Sequence, residues 1–287
     1  MKYAWIKKHG DWFSVARMCR QLGVSRTGYC QWRTRAPSAR SMANATLDAQ
    51  VAAVHTGSRR SYGRPRIVRD LNAQGVSVSH ERVRKSLKRQ GLRPVYKRPY
   101  RVTTDSAHNK PIAPNVLDRR FDGWRVNQAW VADISYVATH EGWLYLACVM
   151  DLASRRIVGW SMGERMKAAL VCEALNSAYW RRKPPPGLIV HSDRGSQYAS
   201  VDYRQLIKDY RMIQSMSRRA NCWDNAAMES FFKTLKVERV HLMRYDTRAL
   251  AKLDIVDWIE GFYNQRRMHS SINYQTPVKA ESSRKAA

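Results

Sequence analysis

Three acids, Asp133, Asp193 and Glu229, occupy positions from which carboxylate chemistry could be done. Asp133 interrupts the apolar run 129–138 between Ala132 and Ile134. A charged group inside such a run is costly unless it is paired or bound to a metal. Asp193 follows directly on Leu-Ile-Val-His-Ser and opens the polar turn Asp-Arg-Gly-Ser-Gln-Tyr. Glu229 lies in a stretch of helical character, with Asn225 one turn before it and Lys236 about two turns after it, near one stripe. Taken singly, each acid has a plain reading: a strand-edge acid, a turn former, a surface acid on a helix. Taken together they are ordered. Two Asp at strand positions are separated by 59 residues, and 35 more residues lead to a helical Glu.

The elements needed to position them are legible from residue 128 onward. Strand-like runs at 129–138, 142–152 and 155–160 are joined by short turns, which predicts an antiparallel meander. A helix is expected over 167–180, with Leu170, Val171, Ala174 and Leu175 on one face. Pro184-Pro185-Pro186-Gly187 ends that unit. A strand at 187–192, a helix at 200–210, a strand at 212–216, a long helix from 224 to about 240 and another at 250–262 complete the pattern. The fold class this implies is a mixed α/β layer of five strands with helices on a central sheet.

The preceding residues read as small all-α units. A helix over 13–22, a break at Gly23, and a second helix capped by Ser25 and carrying Arg26, Tyr29, Trp32 and Arg33 form a loose helix-turn-helix pattern. An ordinary helical hairpin fits as well. Residues 36–46, rich in Pro, Ser and Ala, read as a linker. Pro65 then opens a helix that ends at Gly75, and Ser79 caps another over 80–90. In the latter, Val83 and Leu87 can face a core, while Arg82, Arg84, Lys85, Lys88 and Arg89 cover the rest. Such a helix suits a DNA groove, with phosphate contacts supplying affinity. Its plain alternative is a solvated charged face. Residues 95–122 are basic and aperiodic, an extended linker able to track phosphate. The expected division is 1–45, a helix-turn-helix-like segment; 46–100, a second helix-turn-helix; 101–122, a basic linker; and 123–287, the α/β unit with a helical extension.

Composition points to the same partner. The chain of 287 residues carries 51 Lys and Arg against 23 Asp and Glu, a formal charge of +28. Residues 1–120 hold +20 of this and the remainder +8. A strong cationic excess attracts polyanions, nucleic acid first. The five cysteines form no C-x-x-C pair, and no apolar run reaches the roughly 18 residues of a membrane span. The expected location is the cytoplasm.

The words around the acids carry a resemblance. They are Trp130-Val-Ala-Asp133-Ile-Ser-Tyr136, His191-Ser-Asp193-Arg-Gly-Ser-Gln-Tyr198, Asn221-Cys-Trp-Asp-Asn-Ala-Ala-Met-Glu229-Ser-Phe-Phe232 and Tyr263-Asn-Gln-Arg-Arg-Met-His269. Together with the 59 and 35 spacing they resemble the OrfB protein of the IS3 family of bacterial insertion sequences, which carries a DDE, retroviral-integrase-like catalytic core. Tyr62-Gly-Arg-Pro-Arg-Ile67 resembles the start of that family's internal helix-turn-helix. The likeness covers roughly residues 55–280. It implies an RNase H-like core in which Asp133, Asp193 and Glu229 are catalytic and hold two Mg²⁺ ions, Mn²⁺ substituting, of the two-metal type. It further implies cleavage at the ends of the element and attack of the freed 3′-OH on a second phosphate. Lys236 would contact the DNA end. Asn225 would support Glu229 from one turn back. His191 is left open between orienting a carboxylate and a structural role, and residues 263–269 between DNA contact and closing the fold. Without metal, clustered carboxylates repel, and at least one should hold its proton more tightly. Implied partners are duplex DNA (terminal inverted repeats and target), a second copy of the chain or more on that DNA, and OrfA as partner or fusion. Two other classes compete: a DNA-binding regulator with an inactive catalytic fold, and an RNase H-type nuclease without strand transfer.

Overall fold

The computed structural model describes residues 1–95, 110–219 and 221–285. The front of the chain is helical: α1 (Lys2–Lys8), α2 (Val15–Gln21), α3 (Arg26–Thr34), α4 (Ala39–Gly57), α5 (Arg64–Ala73) and α6 (His80–Arg89). Ser25, Ser38 and Ser79 each accept a hydrogen bond from a backbone amide of the first turn they precede, as good N-caps do. One small cluster gathers Ile6, Met18, Cys19 and Tyr29. A second gathers Leu47, Val51, Ile67, Leu71, Val83 and Leu87 from α4, α5 and α6.

Two expectations are corrected here. The stretch 36–46 is not simply a linker, because α4 begins within it at Ala39. Once Ser38 caps the turn, the Ala, Met and Leu that follow are strong helix formers. The helix Lys2–Lys8 was likewise not foreseen. Of the expected basic linker, residues 101–109 lie outside the described residues. The rest joins the core, with Leu117 fully buried and the Val116 and Leu117 amides donating to Ser215 Oγ at 2.9 and 3.1 Å.

The second half is a five-stranded mixed sheet of order β3-β2-β1-β4-β5. Strands β1 (Ala129–Thr139), β2 (Gly142–Asp151) and β3 (Ile157–Gly163) form the antiparallel meander. Gly142, at φ 107°, makes the β1–β2 turn in a conformation that favours glycine. Helix α7 (Ala168–Arg182) crosses to β4 (Ile189–Ser192), which lies parallel to β1, and α8 (Val201–Asp209) to β5 (Ile213–Met216), parallel to β4. Helices α9 (Ala226–Glu238), α10 (Arg248–Val256) and α11 (Pro277–Lys285) follow. The alternation of strand side chains divides the core in two. Trp130, Ala132 and Val190 face α7 and α8, while Ala129, Val131 and Ile189 pack with Met228, Phe231 and Leu235 of α9.

Candidate active site

The pleat and the register bring the two aspartates together. Val131 of β1 is paired with His191 of β4 in parallel register. Asp133 and Asp193 each lie two residues further on, so they emerge from neighbouring strands at one level. Asp133, at an odd position of β1, lies on the α9 face, and Asp193 follows directly on the end of β4. Helix α9 is fastened there by Asn225, whose Nδ2 donates to Ala132 O at 3.1 Å. Glu229 follows in the first turn of α9. The expected single helix from 224 is in fact a 3₁₀ turn, Cys222–Asn225, leading into α9. Asp224 holds that turn in place. It is fully buried and accepts from Arg119 Nε at 2.7 Å, Arg218 Nη2 at 2.8 Å and Asn115 Nδ2 at 3.1 Å. Those donors keep its carboxyl far below the usual carboxylate range.

The electrostatics differ sharply among the buried acids. Asp151 is also fully buried in the sheet, but its oxygens take hydrogen bonds from Asn127 N, Trp130 Nε1, and Ser154 N and Oγ. It is a structural carboxylate. Asp133 is pushed well above its ordinary value, first by burial and then by Asp193 and Glu229, with partial relief from the Ile134 amide and Lys236. Burial also raises Glu229, against the pull of Lys233. These directions are the ones expected of acids gathered without a counter-cation. Lys236 extends over Tyr136, its Nζ 4.7 Å from the ring centroid, and burial lowers its proton affinity.

Among the described residues, no three His, Cys, Asp or Glu side chains converge tightly enough to form a ready-made metal cluster. The aspartate oxygens are engaged by local backbone amides instead. Asp133 Oδ1 turns to Ile134 N at 2.7 Å, and Asp193 Oδ1 to Gly195 N at 2.9 Å. The donor set nonetheless fits a hard cation: carboxylate oxygens, plus the buried Oδ1 of Asn225, which has no hydrogen-bond partner.

His191 stands apart from this chemistry. It is fully buried, and its ring nitrogens meet Ser215 Oγ at 2.8 Å and Ser217 Oγ at 3.2 Å. Burial pushes its pKa down to about 4, so it is a neutral strut between β4 and β5. The segment 263–269 closes the fold. Asn264 brackets Ile157 by bonding its N and O, and Arg267 grips Glu238 of α9 at 2.7 and 2.8 Å. On α6, Arg84 and Lys85 are drawn to Glu81, and Arg89 to Asp48 of α4 at 2.6 Å. Arg82 and Lys88 are exposed and make no salt bridge among the described residues. The sequence reading did not single out Asp224, Ser215 or Ser217. For Asp224 a signal existed, its place beside Asn225 within the motif around Glu229. The serines carried none.

The class of protein is set by an integrase-type α/β core with a helical unit ahead of it. Residues 124–222 and 210–277 match the models of the integrase core domain, and residues 43–100 match the HTH-like domain. The chain is 44% identical to the transposase InsF for insertion sequence IS3A of Escherichia coli (strain K12), over 98% of each. It is also 44% identical to the insertion element IS600 uncharacterized 31 kDa protein of Shigella sonnei, over 91% of this chain and 96% of that one. The chain belongs to the IS3 family of insertion-sequence transposases. Among solved structures, the HTLV-2 integrase catalytic core domain in complex with magnesium aligns at a TM-score of 0.44 and 15% identity, over 56% of this chain and 99% of that one. Among the described residues, no helix is long and apolar enough to cross a membrane.

Proposed function

We propose that this transposase is a DDE-type DNA strand transferase that cuts at the ends of its insertion sequence and joins the freed 3′-OH to target DNA. Asp133, Asp193 and Glu229 are its catalytic and metal-holding residues. The observation that carries this reading is the in-phase exit of Asp133 and Asp193 from β1 and β4 beneath a helix pinned at Ala132. Two Mg²⁺ ions, with Mn²⁺ able to replace them, would supply Lewis-acid stabilisation of the attacking and leaving oxygens. The chain's own part is to hold three oxygen ligands at one corner of the sheet. Asn225 positions Glu229 and offers an oxygen there. Lys236, clamped over Tyr136, supplies a fixed positive charge for the DNA end.

Residues 46–100 act as the duplex-binding unit and 123–287 as the catalytic unit, with 1–45 a further helical DNA-binding segment. On α6, Arg82 and Lys88 make the first phosphate contacts, and Arg84, Lys85 and Arg89 exchange their acids for phosphate as DNA docks. Pairing two ends calls for at least a dimer on DNA, with OrfA as partner or fusion, acting in the bacterial cytoplasm.

The test is nicking and strand transfer on labelled end-containing oligonucleotides with Mg²⁺. Asp133→Asn, Asp193→Asn and Glu229→Gln are expected to abolish both and to leave DNA binding intact. Strand transfer by a purified, folded Glu229→Gln protein would overturn the assignment.

A further inference from the structure

A cleft of about 460 Å³ separates the helical unit from α9. Arg66 enters it from the first turn of α5, Arg155 from the β2–β3 turn, Lys233 from α9 and Arg267 from the closing segment. Among the described residues its charge is not balanced. Glu238 is the acid in its wall, and both its oxygens are taken by Arg267. Arg155 reaches Phe121 O at 3.1 Å and the exposed Asp122 at 3.4 Å, while its Nε is buried with no partner. Arg66 leans on the Tyr62 ring, 5.6 Å from its centroid, and makes no salt bridge among the described residues. Burial first, and then Arg267, Arg66 and Arg155, hold His269 well below its ordinary value, so it stays neutral among them.

Cations gathered in one partly buried cleft repel one another unless an anion sits between them. Guanidinium groups favour oxyanions that can take two parallel N–H bonds, phosphate above all. The cleft is open, and it runs along α9 past Lys233 and Ser230, the residue after Glu229. An extended polyanion can therefore lie in it along α9, the helix that also carries Glu229, which a free ion need not do.

We propose that this cleft binds a backbone phosphate of bound duplex DNA, held by Arg66 from the helical unit and Arg155 from the core. This rests on DNA being the substrate. Seating that phosphate then ties the two parts of the chain together across the strand.

The test is fluorescence anisotropy of a labelled duplex of random sequence, titrated with full-length protein over a series of NaCl concentrations. Losing one phosphate contact lowers the slope of log affinity against log salt by about 0.9. Arg66→Gln is expected to show that drop with roughly tenfold weaker binding, and Arg66→Lys to restore the slope. Melting followed by circular dichroism should show Arg66→Gln folded and no less stable than the parent without DNA, since a repelling cation has been removed. An unchanged slope in the folded Arg66→Gln protein overturns the proposal. So does stabilisation of the parent, but not of the variant, by inorganic phosphate with the slope unaltered, which would mark a small-anion site. Nicking of an end-containing oligonucleotide by the folded Asp193→Asn protein is followed in a separate assay, so failure of the cleft and failure of the carboxylate assignment are read separately.

Discussion

Asp133 bears an electrostatic cost in the site, from burial first and then from Asp193 and Glu229, and that cost is measurable in its own right. Its folded pKa lies above its ordinary value of 3.8, so between the two the folded chain holds a proton that the unfolded chain has lost. Stability attributable to this group therefore falls as pH rises through that window. Asp133→Asn keeps the acceptor for the Ile134 amide and removes the charge. In EDTA at pH 7 it should be more stable than the parent by about 1–2 kcal/mol, with the gap closing near the ordinary carboxylate value. A variant that melts lower than the parent at pH 7 would contradict this account. His191 has the opposite sign. The unfolded chain protonates it near 6.5, the folded chain only near 4, so its contribution is complete above 6.5 and is lost as pH falls toward 4. His191→Gln, which has no titrating group, should flatten the acid limb of urea midpoints across that range and leave the pH profile of strand transfer above 6.5 unchanged.

At the scale of elements, the site depends on how closely helices approach the sheet. Gly159 of β3 lies under α7, and a Cβ there would collide with Ala174 O and Ala178 N. Both are backbone atoms of a helix and cannot swing aside. Gly159→Ala should cost about 1–3 kcal/mol, read as a lower denaturant midpoint at unchanged m. On the other face, the 3₁₀ turn before α9 is held by Asp224 and its arginines, not by local propensity. This is why the sequence suggested one continuous helix from 224. The start of α4 inside an apparent linker has a local cause, a serine cap followed by good helix formers, outweighed in the reading by Pro37 and two serines.

For the whole molecule, the join between the helical unit and the core is polar and specific. Tyr62 Oη donates to Arg266 O at 2.9 Å and accepts from Met268 N at 2.8 Å, and Arg59 pairs with Asp257 at 2.7 Å. Tyr62→Phe would leave Arg266 O and Met268 N without that partner, at a cost of about 1–3 kcal/mol. The expected sign is faster hydrogen exchange at Met268 and neighbouring amides while sheet amides stay protected. Equal protection in both proteins would show the join to be held elsewhere. The residues of this join lie some 200 positions apart, and nothing in the local pattern of either segment announces it.

The sequence by itself determined the three acids, their order, the strands and helix that carry them, and the cationic front that gives them a polyanion to act on. These are local or nearly local properties: an acid misplaced in an apolar run, a period of two or of 3.6, a spacing, a charge count. Tertiary structure decided what those properties cannot encode. It put Asp133 and Asp193 at one level, because register between β1 and β4 is a contact between distant segments. It turned His191 toward two serines, because a neutral imidazole buried between strands needs partners on both nitrogens. It made residues 263–269 a clasp that closes the fold, and it gathered Arg66, Arg155 and Arg267, which stand far apart in sequence, into one cationic cleft whose uncompensated charge exists only once the chain has folded.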